Sequence, residues 1–201
     1  MKKLLLSLVA VAGLAFSTQA QTEKGKFILG GSVGLNSTKV DGADKADFRF
    51  NVVPSAGYFV SDNFAVGTGV GYNYNKQVSE GSLVQSFEVA PFGRYYVGLS
   101  DQFKFFGQLS VPMNFGNVKD VDETTGDVGD KLGTTTQIGV KLSPGFAFFP
   151  TKRIGIEVSV DGLGYQNTTI KEEATGEKAK VNTFGLDAST ITPKLGVMFH
   201  F

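Results

Sequence analysis

The 201-residue chain has no cysteine and a single histidine, His200. Without cysteine there is no disulfide frame, no thiol chemistry and no lipid-modified N-terminal cysteine. One histidine and no thiolate give no basis for a metal centre of the usual ligands, and no cofactor is expected. Charge of one sign is missing too: 19 Lys and Arg stand against 19 Asp and Glu, so nothing electrostatic argues for nucleic acid. Beyond residue 20 the sequence has neither a long apolar run nor a convincing amphipathic helix.

What is present begins with a leader. Lys2 and Lys3 form a basic segment, Leu4 to Phe16 an apolar core, and Thr18-Gln19-Ala20 sets small residues where a signal peptidase needs them. The apolar run is shorter than the ~20 residues a membrane anchor requires. Residues 1–20 are therefore expected to be a secretory signal peptide, cut between Ala20 and Gln21. Loss of Lys2 and Lys3 from 19 basic residues leaves residues 21–201 at a net charge of −2, with a length that suits one domain. Exported and without disulfides, the fold must close itself by pairing.

Apolar residues recur with period two through nearly all of the mature chain, alongside 26 Gly and 18 Phe, which is the pattern of half-buried strands. Eight such stretches are legible, running from Phe27–Leu35 to Ile191–Phe201. The connections alternate: Ser61 to Asn63, Gly98 to Gln102 and Thr151 to Arg153 are short, while Ser37 to Ala46, Lys76 to Ser82, Asn117 to Gly133 and Gln166 to Asn182 are longer and polar. Short turns at one end and long loops at the other predict an all-β fold, an eight-stranded antiparallel up-and-down transmembrane β-barrel. Each even strand carries Pro with a bulky apolar residue four positions on, from Pro54, Pro91, Pro144 and Pro193. Because Pro removes a ladder hydrogen bond, bulges or broken pairing are expected there.

The two faces of the strands differ in character. One carries Val, Leu, Ile and Ala bracketed by aromatic residues: Phe48 and Phe50 precede Tyr58, Phe64 precedes Tyr72 and Tyr74, and Phe87 precedes Tyr95. At ~3.3 Å per residue and a tilt near 40°, these separations span roughly 20 to 25 Å. Two aromatic girdles are predicted, completed by Phe103, Phe105, Phe115, Phe146 and Phe148, and this face is read as lipid-facing. The opposite face holds Arg49, Glu88, Arg94, Lys104, Lys141, Glu157, Asp161 and Lys194, with Gly67, Gly69 and Gly71 and bulky Phe59, Phe92, Tyr96, Phe106 and Phe149. An eight-stranded interior is just wide enough for side chains to fill it. Equal counts from the intervening turns set Lys141 near Asp161 and Arg94 opposite Lys104, with Glu88 a candidate acceptor. A soluble ligand carrier with apolar residues inside would share the period, but so small an interior could not hold the apolar bulk.

The C-terminal "GVMFHF" alternates Val197, Phe199 and Phe201 with Gly196, Met198 and His200. In a closed barrel the last strand pairs with the first, so Phe199 and Phe201 are expected as lipid-facing anchors. The ending also resembles the C-terminal signal of bacterial outer-membrane proteins, which implies the outer-membrane insertion machinery as a partner. The stretch "VAPFGRYYVGLSDQFKFFGQLSV", residues 89–111, resembles a stretch of the small outer-membrane barrels of the OmpX, OmpW and OmpA membrane-domain type. Pro91, Arg94 and Tyr95 match in kind, while Val89 stands where Gly is common. The barrel is expected to be the whole of the mature chain, without the peptidoglycan-binding domain that follows in OmpA-like proteins.

Chemical motifs are weak. "GTGVG" at Gly67–Gly71 lacks the helix of a phosphate loop. In "DVDETTGDVGD", Asp120 to Asp130, Thr124 and Thr125 occupy positions where a calcium loop wants other residues, leaving a solvated acidic loop. "NTT" at Asn167 reads as polar loop. His200, inward at the short-turn end by parity with Phe199 and Phe201, is at the wrong end for a hydrolase acting on lipid or extracellular substrate. The expected function is a non-enzymatic outer-membrane barrel with a filled lumen, acting through its loops on an extracellular ligand or surface. The OmpX resemblance implies adhesion or envelope protection. The alternative, implied by the OmpW resemblance, is a narrow channel for small or apolar solutes; an enzyme ranks last.

Overall fold

The computed structural model describes residues 22–39, 45–160, 162–186 and 194–201, together with all side chains in these ranges except those of Leu186, Lys194 and Leu195. The expected signal peptide, the Ala20–Gln21 junction, Asp161 and Pro193 lie outside the described residues.

Among the described residues, alternating sequences form eleven antiparallel strands: β1 (Phe27–Thr38), β2 (Asp47–Ser61), β3 (Phe64–Gln77), β4 (Ser82–Gly98), β5 (Phe103–Ser110), β6 (Met113–Val121), β7 (Val128–Phe148), β8 (Ile154–Ser159), β9 (Leu163–Glu172), β10 (Lys178–Leu186) and β11 (Lys194–His200). They make eight spans, because β5 with β6, β8 with β9, and β10 with β11 are each two halves of one. Phe92 faces Ser110 on β5 and Val89 faces Met113 on β6, so β4 keeps one register across that break. The sheet closes where β11 meets β1, pairing Ile28 with His200 and Leu29 with Phe199. Phe27 and Phe201 add reciprocal backbone bonds, with the Phe27 N–H donating at 3.0 Å and the Phe201 N–H at 2.9 Å.

Each described proline of the repeat interrupts the ladder on one side. Pro54 faces Gly31 on β1, but the β2–β3 pairing skips from Val52 to Ser55. Pro91 pairs with Thr68 on β3, and the gap between β5 and β6 falls beside it. Pro144 pairs with Gly107, and on its other flank the register slips between Lys141↔Gly164 and Gly145↔Ser159. A ring nitrogen cannot donate, so one neighbour loses its partner while the other is kept.

The sequence-predicted long loops Asn117 to Gly133 and Gln166 to Asn182 are instead tall hairpins. β6 runs to Val121 and β7 starts at Val128; β9 runs to Glu172 and β10 starts at Lys178. Both tips use one turn, Asp122-Glu-Thr-Thr-Gly-Asp127 and Glu172-Glu-Ala-Thr-Gly-Glu177. Gly126 (φ 75°) and Gly176 (φ 72°) take the left-handed conformation that glycine accepts without strain. Their N–H groups donate to the Asp122 and Glu172 carbonyls at 2.8 and 3.1 Å. Thr125 Oγ1 and Thr175 Oγ1 accept from the Asp127 and Glu177 N–H groups at 3.2 and 3.1 Å.

Candidate functional site

Parity places one ring outside and its neighbour inside. Tyr95 is 54 % exposed and Tyr96 1 %; Tyr58 is 39 % exposed and Phe59 0 %. Of the sequence-predicted girdle residues, Phe48, Tyr58, Tyr72, Phe87, Tyr95, Phe103, Phe115 and Phe146 are exposed, and Phe50, Phe64, Tyr74, Phe105 and Phe148 are half-buried. They pair across strands: Phe103 stacks on Phe148 at 4.7 Å, Phe105 meets Phe146 at 5.4 Å, and Phe50 lies 6.0 Å from Tyr72. Val197 and Phe199 are exposed on the same outer wall.

Inside, the short-turn end is filled. Phe59, Tyr96, Phe106 and Phe149 join Ile28, Ala65 and Ala147 in one buried cluster. Burying each large ring is worth about 1.5 to 3 kcal/mol. The His200 ring lies among them, 5.1 Å from Phe149, 6.1 Å from Phe59 and 6.5 Å from Tyr96. Below this layer Thr22 is buried and donates from Oγ1 to Asn63 Oδ1 at 2.8 Å.

Immediately above the rings an ion pair crosses the interior from β4 to β8. Arg94 Nη1 donates to both carboxylate oxygens of Glu157 at 2.8 Å, and Tyr96 Oη donates to Glu157 Oε1 at 3.1 Å. Arg94 Nε donates to Gln108 Oε1 at 2.8 Å, and its guanidinium sits 4.4 Å from the Phe106 ring centre. Both charged groups are buried. Five serines, Ser32, Ser55, Ser110, Ser143 and Ser159, line a cavity of about 230 Å³ above the pair, with Glu88 and Lys141 on its wall. Higher still an amide chain runs around the interior: Asn73 Nδ2 to Asn114 Oδ1 at 3.0 Å, Asn114 Nδ2 to Gln137 Oε1 at 3.3 Å, and Gln137 Nε2 to Thr168 Oγ1 at 3.4 Å.

Several expected pairings need correction. Arg94 faces Gln108, not Lys104: the turn closes on the pair Gly98↔Lys104, so the residue four before Gly98 meets the one four after Lys104. Lys104 faces Gly98 and Ala147, and its ammonium donates to Thr22 Oγ1. Glu88 accepts from Asn73 Nδ2 at 2.8 Å, so it is Glu157 that holds Arg94. Lys141 faces Gly164, and its expected partner Asp161 lies outside the described residues. Arg49 is exposed at the hairpin end opposite Asn36 and Asn75, and Lys194 is described only through its backbone pairing with Ser159. Sequence reasoning missed the hydroxyl role of Tyr96 and the contribution of Gln108. Inward parity was the available signal for both.

The tall hairpins stand side by side. Lys131 Nζ meets Glu173 Oε2 at 2.9 Å, and the Glu173 N–H donates to the Leu132 carbonyl at 2.8 Å. The hydrogen bond from Lys131 holds the Glu173 carboxyl below its usual range. In the other tip the acidic stretch is a turn, not a ligand loop: Asp122 Oδ1 accepts from the Thr125 and Thr124 N–H groups at 2.7 and 2.8 Å, which lowers its pKa.

A closed antiparallel sheet with an apolar outer wall, aromatic bands and a polar, charged interior is a transmembrane β-barrel. The family profile described as "Outer membrane protein beta-barrel domain" matches residues 6–199. The chain belongs to this family and is an integral protein of the bacterial outer membrane. Among solved structures it is similar to the outer membrane protein W of E. coli, with a TM-score of 0.55, 13 % identity, and coverage of 89 % of this chain and 99 % of that one. It is also similar to Neisserial surface protein A, at TM-score 0.51 and 13 % identity, covering 89 % of this chain and 98 % of that one. At such identities the likeness concerns the fold. No curated protein sequence matches the chain.

The orientation is open to a direct test. The tips carry Glu123, Glu173 and Glu177, and the short turns carry Lys152 and Arg153 but no glutamate. If the tall hairpins face outward, a glutamate-specific protease added to intact cells should cut at a tip, and trypsin should spare Lys152 and Arg153. Trypsin cleavage at Lys152 in intact cells would show the reverse insertion.

Proposed function

We propose that the protein is a non-conducting, non-enzymatic surface barrel whose work is done by its outward hairpins. The observation that carries this reading is the Arg94–Glu157 pair, which spans the interior directly on a layer of four buried rings. An ion would have to separate a buried, hydrogen-bonded charge pair and displace packed aromatic side chains to pass, and both steps are costly. The same layer encloses His200, which sets the single histidine away from lipid and from extracellular substrate. The β6–β7 and β9–β10 hairpins extend roughly 20 Å along the strand beyond the aromatic band, which suits contact with an extracellular ligand or surface.

Refolded protein in planar bilayers should give no steady single-channel steps, with the heat-dependent gel mobility of a folded barrel as the control for folding. Reproducible steps from that material would overturn the sealed interior and favour a narrow channel.

A further inference from the structure

We propose that the outer face of the β9–β10 hairpin binds the phosphate groups of a phosphorylated glycolipid in the outer leaflet of the membrane. The proposal rests on the tall hairpins facing outward, which the protease experiment above tests separately.

The face is graded from apolar to cationic. Val140 and Ile138, both exposed on the lipid-facing wall, sit opposite Tyr165 and Asn167 of β9. From there the rungs of the hairpin on this face are Tyr165 with Phe184, Asn167 with Asn182, Thr169 with Lys180, and Lys171 with Lys178. Tyr165 Oη and Asn167 Nδ2 donate to the same oxygen, Asn182 Oδ1, at 2.9 and 2.7 Å, so these side chains do share a face. An aromatic rung is thus followed by an amide rung and then by three lysines, all exposed.

Lys171 and Lys178 stand directly opposite each other, and Lys180 is two residues along on the same face. Like charges so placed destabilise a two-stranded ribbon. No carboxylate among the described residues forms an ion pair with any of the three. Glu172 and Glu177 lie on the opposite face of the hairpin by parity. Glu173 feels the charge of Lys171 but is the partner of Lys131. Three ammoniums on one face that make no ion pair among the described residues can take an anion from outside the chain.

Its height selects the anion. Lys180 and Lys171 lie four and six residues above Tyr165, about 13 to 20 Å along the strand and about 10 to 15 Å along the membrane normal at a tilt near 40°. A lysine stem can reach back about 6 Å while its ammonium stays hydrated. The three ammoniums therefore reach the headgroup layer just above the aromatic band, where amphipathic rings mark the interface. Phosphate monoesters supply charge and acceptors for the ammoniums, and sugar hydroxyls can pair with the amide rung formed by Asn167 and Asn182.

The test uses the full folded protein in detergent, titrated by native mass spectrometry with a bisphosphorylated, acylated disaccharide glycolipid, with its dephosphorylated form, and with inorganic phosphate. The wild type should prefer the phosphorylated lipid to the dephosphorylated one. Lys171→Gln/Lys178→Gln/Lys180→Gln should weaken its binding on the order of a hundredfold, and the corresponding triple Arg variant should retain it. The single variant Lys178→Gln should bind about fivefold more weakly while unfolding no more easily, because it relieves a like-charge rung. A mere loss of structure could not give that combination. Equal binding by the wild type and the Gln variants, equal binding of the dephosphorylated lipid, or inorganic phosphate binding as tightly as the lipid would each overturn the proposal.

Discussion

Replacing Glu157 by alanine should cost about 3 to 5 kcal/mol of stability, the loss expected when one partner of a buried pair is removed and the other stays charged. Arg94 would keep its bonds to Gln108 and Tyr96 but lose both carboxylate contacts, in a layer where it is buried against the Phe106 ring. Phe59, Tyr96, Phe106 and Phe149 close the interior below it, so water can reach the guanidinium only from the serine-lined cavity above. Urea unfolding of refolded protein in micelles, followed by gel mobility, reads the change. The double variant Arg94→Met/Glu157→Leu should recover most of the loss, since apolar residues of similar volume can replace a buried ion pair at little cost. A shift below about 1 kcal/mol for Glu157→Ala would mean that the pair is hydrated and contributes little.

The faces of this barrel are legible from residue parity alone, and its cross-barrel partners are not. Tyr95 and Tyr96 differ in burial because consecutive side chains leave a strand on opposite sides, so any reader of "RYYV" can assign one ring to lipid and one to the interior. Which residue meets Arg94 depends instead on the register set at the Gly98–Gln102 turn and on how β4 and β8, four strands apart in the chain, wind around the barrel. An error in one turn moves every partner along the strand. The hairpin tips were hidden for a different reason. Between Asn117 and Gly133 most side chains are polar and only that of Val121 is deeply buried, against Val78 and Leu83, so Lys119, Asp120, Asp130 and Lys131 carry no apolar alternation and the pairing leaves no period-two trace. The duplicated tip, "DETTGD" and "EEATGE", is visible in the sequence only after the turn has been seen. Pro54, Pro91 and Pro144 were readable as interruptions because the missing N–H is a property of the residue itself.

Deleting Phe201 should lower the amount of protein assembled in the outer membrane severalfold, a larger effect than the loss of one ring accounts for. The ring is worth only about 1 to 3 kcal/mol of burial. Its backbone, however, exchanges two hydrogen bonds with Phe27, the first rung of the closing pair. Without them the Phe27 N–H and carbonyl lose their partners where the barrel must have no open edge. Its ending also resembles the signal that the insertion machinery of this membrane recognises. Quantifying heat-modifiable protein in isolated outer membranes, for the wild type and for the chain ending at His200, checks this. Equal levels would show that closure is set by Ile28↔His200 and Leu29↔Phe199 alone.

The two tip turns, alike in backbone but different in sequence, bear on how this surface can change over generations. Each turn is held by its own bonds, Asp122 to Thr124, Thr125 and Gly126 in one and Glu172 to Gly176 and Thr175 in the other. Neither tip contributes a side chain to the buried cluster or to the Arg94–Glu157 layer. If the tips face outward as proposed, what meets the outside lies apart from the rings and the ion pair that fill the interior. Substitutions at Glu123, Thr124 and Ala174, which make no side-chain contact with the barrel interior, can then accumulate there, and the barrel beneath them does not register the difference.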